Sequence, residues 1–185
     1  MSYGVVVPNK IRATDIDAFN RSAVCADPIN NGYVFELLTQ VPAATTAGQG
    51  EVWAATQSTG TITNLWMAYS PEIPEIAAAN GNLYKGLDSD PRNFRTAAGE
   101  IIDCFRPSVG DILTITADSL SAVRPGSNNS YVVAVSGYYY LTWANSYVSG
   151  LSLAWLATTT LSIPTGTISD TQQVTAYKFQ VYCVS

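Results

Sequence analysis

From Tyr33 to the C-terminus the sequence alternates with a period of two, a pattern that fits β-strands and little else. Successive side chains of a strand point to opposite faces, so every second residue shares one environment. The last segment is the cleanest. Tyr177, Phe179, Val181 and Cys183 lie on one face, and Lys178, Gln180 and Tyr182 lie on the other. Tyr33, Phe35 and Leu37 make an earlier face, as do Glu51, Trp53 and Ala55 after the Gly48-Gln49-Gly50 turn. Thr63, Leu65, Met67 and Tyr69 oppose Ile62, Asn64 and Trp66. Asp111, Leu113, Ile115 and Ala117 oppose Ile112, Thr114 and Thr116. Residues 131–135 read as a buried strand interrupted by Gly137, and residues 138–143 as a second strand or a short helix. The abundance of Thr, Val, Tyr and Trp suits strands. Residues 73–79 and 93–98 have room for a helical turn or two, but neither carries an apolar stripe.

Short strands separated by Gly, Pro, Asn and Asp clusters predict a mainly β fold, a single β-sandwich or small β-barrel domain with little helix. Its 185 residues suffice for one compact domain. We place that domain at residues 31–185, preceded by an extended N-terminal arm, residues 1–30. Within the arm Val5, Val6 and Val7 form a short extended segment, which Pro8 confines to a sheet edge or an arm because it lacks a backbone N–H. Thr14 or Asp15 can cap a short helix through Phe19. Asp27-Pro28-Ile29-Asn30-Asn31-Gly32 is a turn cluster.

Charged residues make up 12% of the chain, about half the usual share. A surface so poor in charge is expected to meet other protein over much of its area. Nine Lys and Arg, scattered singly in a chain of net charge −5, speak against a nucleic-acid partner, since phosphate binding needs clustered cations. No basic patch suits anionic lipid, and no apolar run reaches the ~18 residues that span a bilayer, so no membrane partner is expected. The N-terminus lacks a signal peptide's basic start and apolar core, which predicts a soluble protein made in a cytoplasm. Cys25, Cys104 and Cys183 lie far apart, match no metal-binding spacing and are odd in number. They read as buried free thiols from a reducing compartment.

The chain has no histidine, which removes the commonest general base near neutral pH and the commonest metal ligand. No nucleophile-elbow pattern or phosphate-binding glycine loop is present. Paired carboxylates are the remaining catalytic option, drawn from Glu36, Glu51, Glu72, Glu75, Glu100, Asp103 and Asp111. Any acidic β-protein offers such pairs. Asp103 and Asp111, flanking Phe105-Arg106-Pro107, are expected to frame a turn instead. Leu87-Asp88-Ser89-Asp90-Pro91 suggests a calcium loop, but Arg92 holds the third ligand position and no glutamate closes the loop. Asp88 and Asp90 are better read as turn formers. The expectation is a non-enzyme with neither cofactor nor metal.

Four tryptophans and eleven tyrosines remain to be placed. Trp53 and Trp155, within alternating strands, are expected in the core. Trp66 shares its face with Asn64 and Ser70, and Tyr138, Tyr139 and Tyr140 cannot all point inward from one strand. These four residues, with Trp143, are the candidate exposed contacts. Aromatic residues so placed serve either as protein anchors or as stacking platforms for sugar rings.

Five strings carry a family resemblance: Asn31-Gly32-Tyr33-Val34-Phe35, Gly50-Glu51-Val52-Trp53, Leu65-Trp66-Met67-Ala68-Tyr69, Tyr84-Lys85-Gly86-Leu87-Asp88-Ser89-Asp90-Pro91-Arg92-Asn93-Phe94 and Phe105-Arg106-Pro107-Ser108-Val109-Gly110-Asp111. From about Asn31 onward the chain resembles small virion proteins of tailed bacteriophages, some of which are capsid decoration, or cement, proteins. The resemblance implies a virion protein on the capsid surface, made in the host bacterial cytoplasm. It would bind the major capsid protein and stabilise contacts between its subunits. It also implies self-association, with a trimer as the form such proteins commonly take, and Val5, Val6, Val7 and Pro8 as the capsid-contact arm. Placement in the tail, the neck or a head fibre, and a carbohydrate-binding adhesion module, are the alternatives.

Overall fold

The computed structural model describes residues 4, 20–41, 51–59, 65–69, 75–77, 83–85, 95–126, 128–164 and 171–184. Among these the chain forms twelve strands and a 3₁₀ turn at Ala117–Ser119. The strands are β1 (Asn20–Cys25), β2 (Val34–Gln40), β3 (Val52–Thr56), β4 (Leu65–Ala68), β5 (Glu75–Ala77) and β6 (Leu83–Lys85). They continue with β7 (Ile101–Phe105), β8 (Ile112–Thr116), β9 (Tyr131–Ala134), β10 (Leu141–Ala144), β11 (Leu151–Pro164) and β12 (Thr171–Val184). The protein is mainly β and sandwich-like, with two five-stranded sheets.

One of those sheets closes into a barrel in the order β1-β3-β2-β4-β7. β1 and β3 run parallel, and the other barrel pairings are antiparallel. The other is antiparallel, in the order β10-β9-β11-β12-β8. β5 and β6 pair with each other, so residues 75–77 are strand where the sequence left room for a helical turn. No helix among the described residues is long and apolar enough to cross a membrane.

The barrel begins earlier than the sequence implied. Asn20–Cys25, assigned above to the arm, is hydrogen-bonded to β3 on one side and β7 on the other, and Ala23 and Cys25 are buried inside the barrel. Its inward residues are small, so the alternation was too faint to read as a core strand. Ile29, in the expected turn cluster, is buried too, and pairs with Thr96 through two backbone bonds of 3.0 Å. Val5, Val6, Val7, Pro8 and the 14–19 segment lie outside the described residues. Gly4 is described and buried, and a Cβ there would overlap Ser119.

Two hydrophobic clusters hold the molecule together. Between the layers, Val34, Leu65, Met67 and Phe105 from the barrel's outer side pack with Leu113, Val132, Leu153 and Phe179 of the open sheet. Inside the barrel, Phe35, Trp66 and Ile102 pack with Ala23, Cys25, Ala68 and Cys104. β4 is buried on both faces, with Leu65 and Met67 toward the sheet and Trp66 and Ala68 toward the barrel interior. Each fully buried Phe contributes roughly 1.5–3 kcal/mol by leaving water.

Candidate contact surface

β11 and β12 form one long hairpin, paired from Leu151↔Val184 to Pro164↔Thr171. Its register slips twice. Ser152 faces Cys183 while Leu153 faces Val181, which makes Tyr182 an extra residue. Trp155 faces Phe179 while Ala157 faces Lys178, which makes Leu156 the extra residue on the other strand. A third slip in the barrel sets Leu38 and Thr39 against Ala54. A β-bulge leaves its extra residue outside the ladder and re-aims the side chain. In each slip that side chain is large, apolar and exposed: Tyr182 at 49%, Leu156 at 43% and Leu38 at 53%.

Tyr182 belongs to a cluster of three rings. Its centroid lies 5.0 Å from that of Tyr147 and 5.7 Å from that of Tyr131, and the last two are 6.1 Å apart. Tyr131 opens β9, while Tyr147 stands in the β10–β11 connection and is 53% exposed. That connection is pinned by Ser152, whose Oγ accepts from Val148 N at 3.1 Å and donates to Val148 O at 2.9 Å. Tilted and edge-on pairs of this kind contribute about 0.5–1.5 kcal/mol each. The surroundings are neutral, for the five strands of the open sheet hold one charged residue, Lys178. Beside Tyr131 and Tyr147, the Asn129 amide donates to Asn145 Oδ1 at 2.9 Å.

The residues singled out from sequence divide. Tyr138 is exposed and Tyr140 half-buried, with ring centroids 4.9 Å apart. Trp66, Tyr139 and Trp143, expected at the surface, are buried. Trp66 sits inside the barrel because β4 has no wet face, which alternation alone does not reveal. Trp143 points into the cluster between the layers, its Nε1 donating to Ala122 O at 3.0 Å and its ring edge-on to Tyr177 at 5.1 Å. Tyr139 reaches into the barrel cluster and stacks on Tyr33 at 6.3 Å. Its hydroxyl donates to Asp27 Oδ2 at 2.9 Å and lies 3.0 Å from Cys25 Sγ. Burial and these two neighbours raise its pKa well above that of a free phenol.

Trp53 and Trp155, expected in the core, are half-buried. Trp155 lies beneath Arg124, whose guanidinium carbon is 3.7 Å from the ring centroid. Sequence reasoning overlooked the Tyr131–Tyr147–Tyr182 cluster. A usable signal existed for Tyr182, which falls on the Lys178 and Gln180 side of its strand. None existed for Tyr147, in a connection without periodicity.

An open cleft of ≈ 410 Å³ on the barrel is lined by Asn20, Arg21, Ser22, Glu51, Tyr69, Asp103 and Cys104. Asp103 lies in β7, not in the turn expected for it, and accepts from Ser22 Oγ at 3.3 Å. The Cys104 thiol donates to Arg21 O at 3.3 Å. Burial first, and the Asp103 charge second, push its pKa up to about 12, so it stays protonated and non-nucleophilic at neutral pH. Other carboxylates hold local structure. Glu36 accepts from Thr59 N at 2.8 Å, and Glu100 from Ala97 N at 3.1 Å. Asp111 frames the expected turn by accepting from Ser108 N at 2.8 Å. Cys25 and Cys104 are buried free thiols. Asp88, Asp90 and Glu72 lie outside the described residues, and among those described no group of three His, Cys, Asp or Glu could hold a metal ion.

Compared with protein-family models, with curated proteins and with solved structures, the chain matches none.

Proposed function

We propose that this chain is a structural protein of a tailed-phage particle that decorates the assembled head, binding the major capsid protein and reinforcing contacts between its subunits. The observation that carries the reading is the outer face of the open sheet, where Lys178 is the one charge on the strands and Tyr131, Tyr147 and Tyr182 cluster with two rings half-exposed. A monomer gains nothing in solubility from such a face, whereas aromatic anchors with few charges are what protein interfaces are enriched in. The resemblance of the five strings to phage virion proteins supplies the partner. The role is one of binding: the cleft holds a protonated thiol and the Asp103 carboxylate, which already accepts from Ser22, and the chain has no imidazole. A sugar-binding reading built on Trp66 and Trp143 loses its platform, because both rings are inside.

Copy number on purified particles tests the proposal. Hundreds of copies per particle, arrayed on the shell in reconstructions of intact virions, are the expected result. A dozen or fewer, seen as one ring at a vertex or as fibres, overturns decoration in favour of a neck or head-fibre role. Tyr147→Ala with Tyr182→Ala is expected to weaken attachment to heads by more than tenfold, about 1.4 kcal/mol, while the far-ultraviolet spectrum stays unchanged.

A further inference from the structure

The long hairpin runs on past the other described strands of the open sheet. Trp155 N donates to the Ser130 carbonyl at 2.8 Å, and beyond that point β12 is the one described strand that pairs with β11. β12 is paired with β8 only over Ala176 to Gln180. What projects is a two-stranded ribbon whose outer β11 edge reads Leu156, Ala157, Thr158, Thr159, Thr160, Leu161, Ser162 and Ile163.

Such an edge displays a row of backbone donors and acceptors that any other strand can take. Monomeric proteins blunt it with Lys, Pro, an inward charge or very short length. Residues 156–163 carry none of these devices: they are neutral, rich in β-branched residues and free of Gly, and Pro164 comes after them. A segment of that composition, left bare, is a site of uncontrolled association.

We propose that this edge pairs with the same edge of a second copy of the chain, antiparallel and about a two-fold axis. Three observations select a copy over a foreign strand. The chain carries a net charge of −5, so two copies repel, and a charge-free edge is where they approach at least cost. Side-chain exposure alternates along the edge, with Leu156, Thr158, Thr160 and Ser162 exposed and Ala157, Thr159 and Leu161 half-buried, and the exposed stretch ends at Ser162 because Ile163 is buried. Residues directly opposite in an antiparallel pair share a face, so the axis must pass through a residue and not between two. With the axis at Thr159, Thr158 of each copy faces Thr160 of the other. With the axis at Thr160, that residue faces its own equivalent. Both registers set threonine against threonine at the centre, a favourable cross-strand pair. The edge is thus its own complement, as an isologous contact requires.

The test is sedimentation equilibrium of the whole chain over a dilution series, with two charge variants, Thr158→Lys/Thr160→Lys and Thr158→Glu/Thr160→Glu. The unaltered chain should dimerise with concentration. Each variant should dimerise at least tenfold more weakly, and an equimolar mixture of the two should recover a heterodimer. Amide exchange at residues 157–163 of the unaltered chain should slow as concentration rises, a readout that needs no variant to fold. A monomer at the highest soluble concentration overturns the proposal. So does a trimer, a dimer that both variants leave intact, a mixture that stays monomeric, or exchange indifferent to concentration.

Discussion

The barrel and the open sheet have the same number of strands and opposite relations to their surroundings. The barrel joins its first strand to its last, so β1 is paired on both sides and the closed ring presents no free edge. Its strands carry Arg21, Glu36 and Asp103, and its interior is filled by Phe35 and Trp66 among small residues. The open sheet has Lys178 as its one charge, projects a ribbon past its neighbours, and turns Tyr131, Tyr147 and Tyr182 outward. A closed unit filled from within explains itself by folding alone. An open, neutral and aromatic one is understood only with something beside it. On the proposed reading the barrel anchors the fold and the sheet makes the contact.

The severest way to break that assignment is to empty the barrel. Trp66→Ala removes the largest ring of its interior, and denaturant unfolding should show a loss of about 3–5 kcal/mol from lost burial and the cavity left behind. A loss below about 1 kcal/mol would mean the barrel is not held from within. Alkali probes the same interior. Cys104 has its pKa raised from 9.0 to about 12 by burial, so the unfolded chain loses this proton first. The stabilisation is therefore complete below about pH 9 and disappears as pH rises toward about 12, at about 1.4 kcal/mol per unit. Tyr139, raised for the same reason, acts in the same direction. Cys104→Ala should flatten the stability–pH curve between pH 9 and about 12, as measured by urea unfolding at each pH.

How much of this was legible in the sequence depended on whether a strand has one wet face. β12 does, and the division that alternation made between Tyr177, Phe179 and Val181 and Lys178, Gln180 and Tyr182 coincides with its buried and exposed sides. β4 does not, so alternation separated Leu65 and Met67 from Trp66 but could not say that all are buried. Trp143 was misplaced because residues 138–143 combine a turn with the start of a strand, and Tyr138 to Tyr140 break the period. β1 went unrecognised because Ala23 and Cys25 are weak markers of a core face, and barrel closure is a long-range fact absent from any window. The bulges were invisible for a related reason. A bulge is a mismatch between two strands, so Tyr182 and Leu156 become extra residues only once their partners are known.

Arg124 sharpens the contrast at intermediate scale, since it serves the neutral sheet from outside its strands. Its guanidinium covers Trp155 at 3.7 Å and its Nε donates to Asn129 O at 2.8 Å. Arg124→Ala should cost about 1–2 kcal/mol by losing both contacts. Arg124→Lys should recover only part of this, because an ammonium lacks the planar face that lies on the indole. Thermal unfolding of the two variants separates the ring contact from simple charge. Full recovery by lysine would mean that planarity is irrelevant and that positive charge alone carries the effect.

The smallest effect on stability is expected where the contrast predicts the largest effect on binding. Tyr182→Ser removes a half-exposed ring that is an extra residue of the ladder, so the hairpin keeps its pairing and the fold loses less than about 1 kcal/mol, chiefly the ring contacts with Tyr131 and Tyr147. Phe179→Ala, three residues away on the buried side of the same strand, should cost about 3–5 kcal/mol. The two variants together measure how completely β12 divides between the core and the outside. If Tyr182→Ser proves as costly to folding as Phe179→Ala, the tyrosine cluster is part of the scaffold, and the sheet's outer face no longer stands apart from the barrel as a surface kept for a partner.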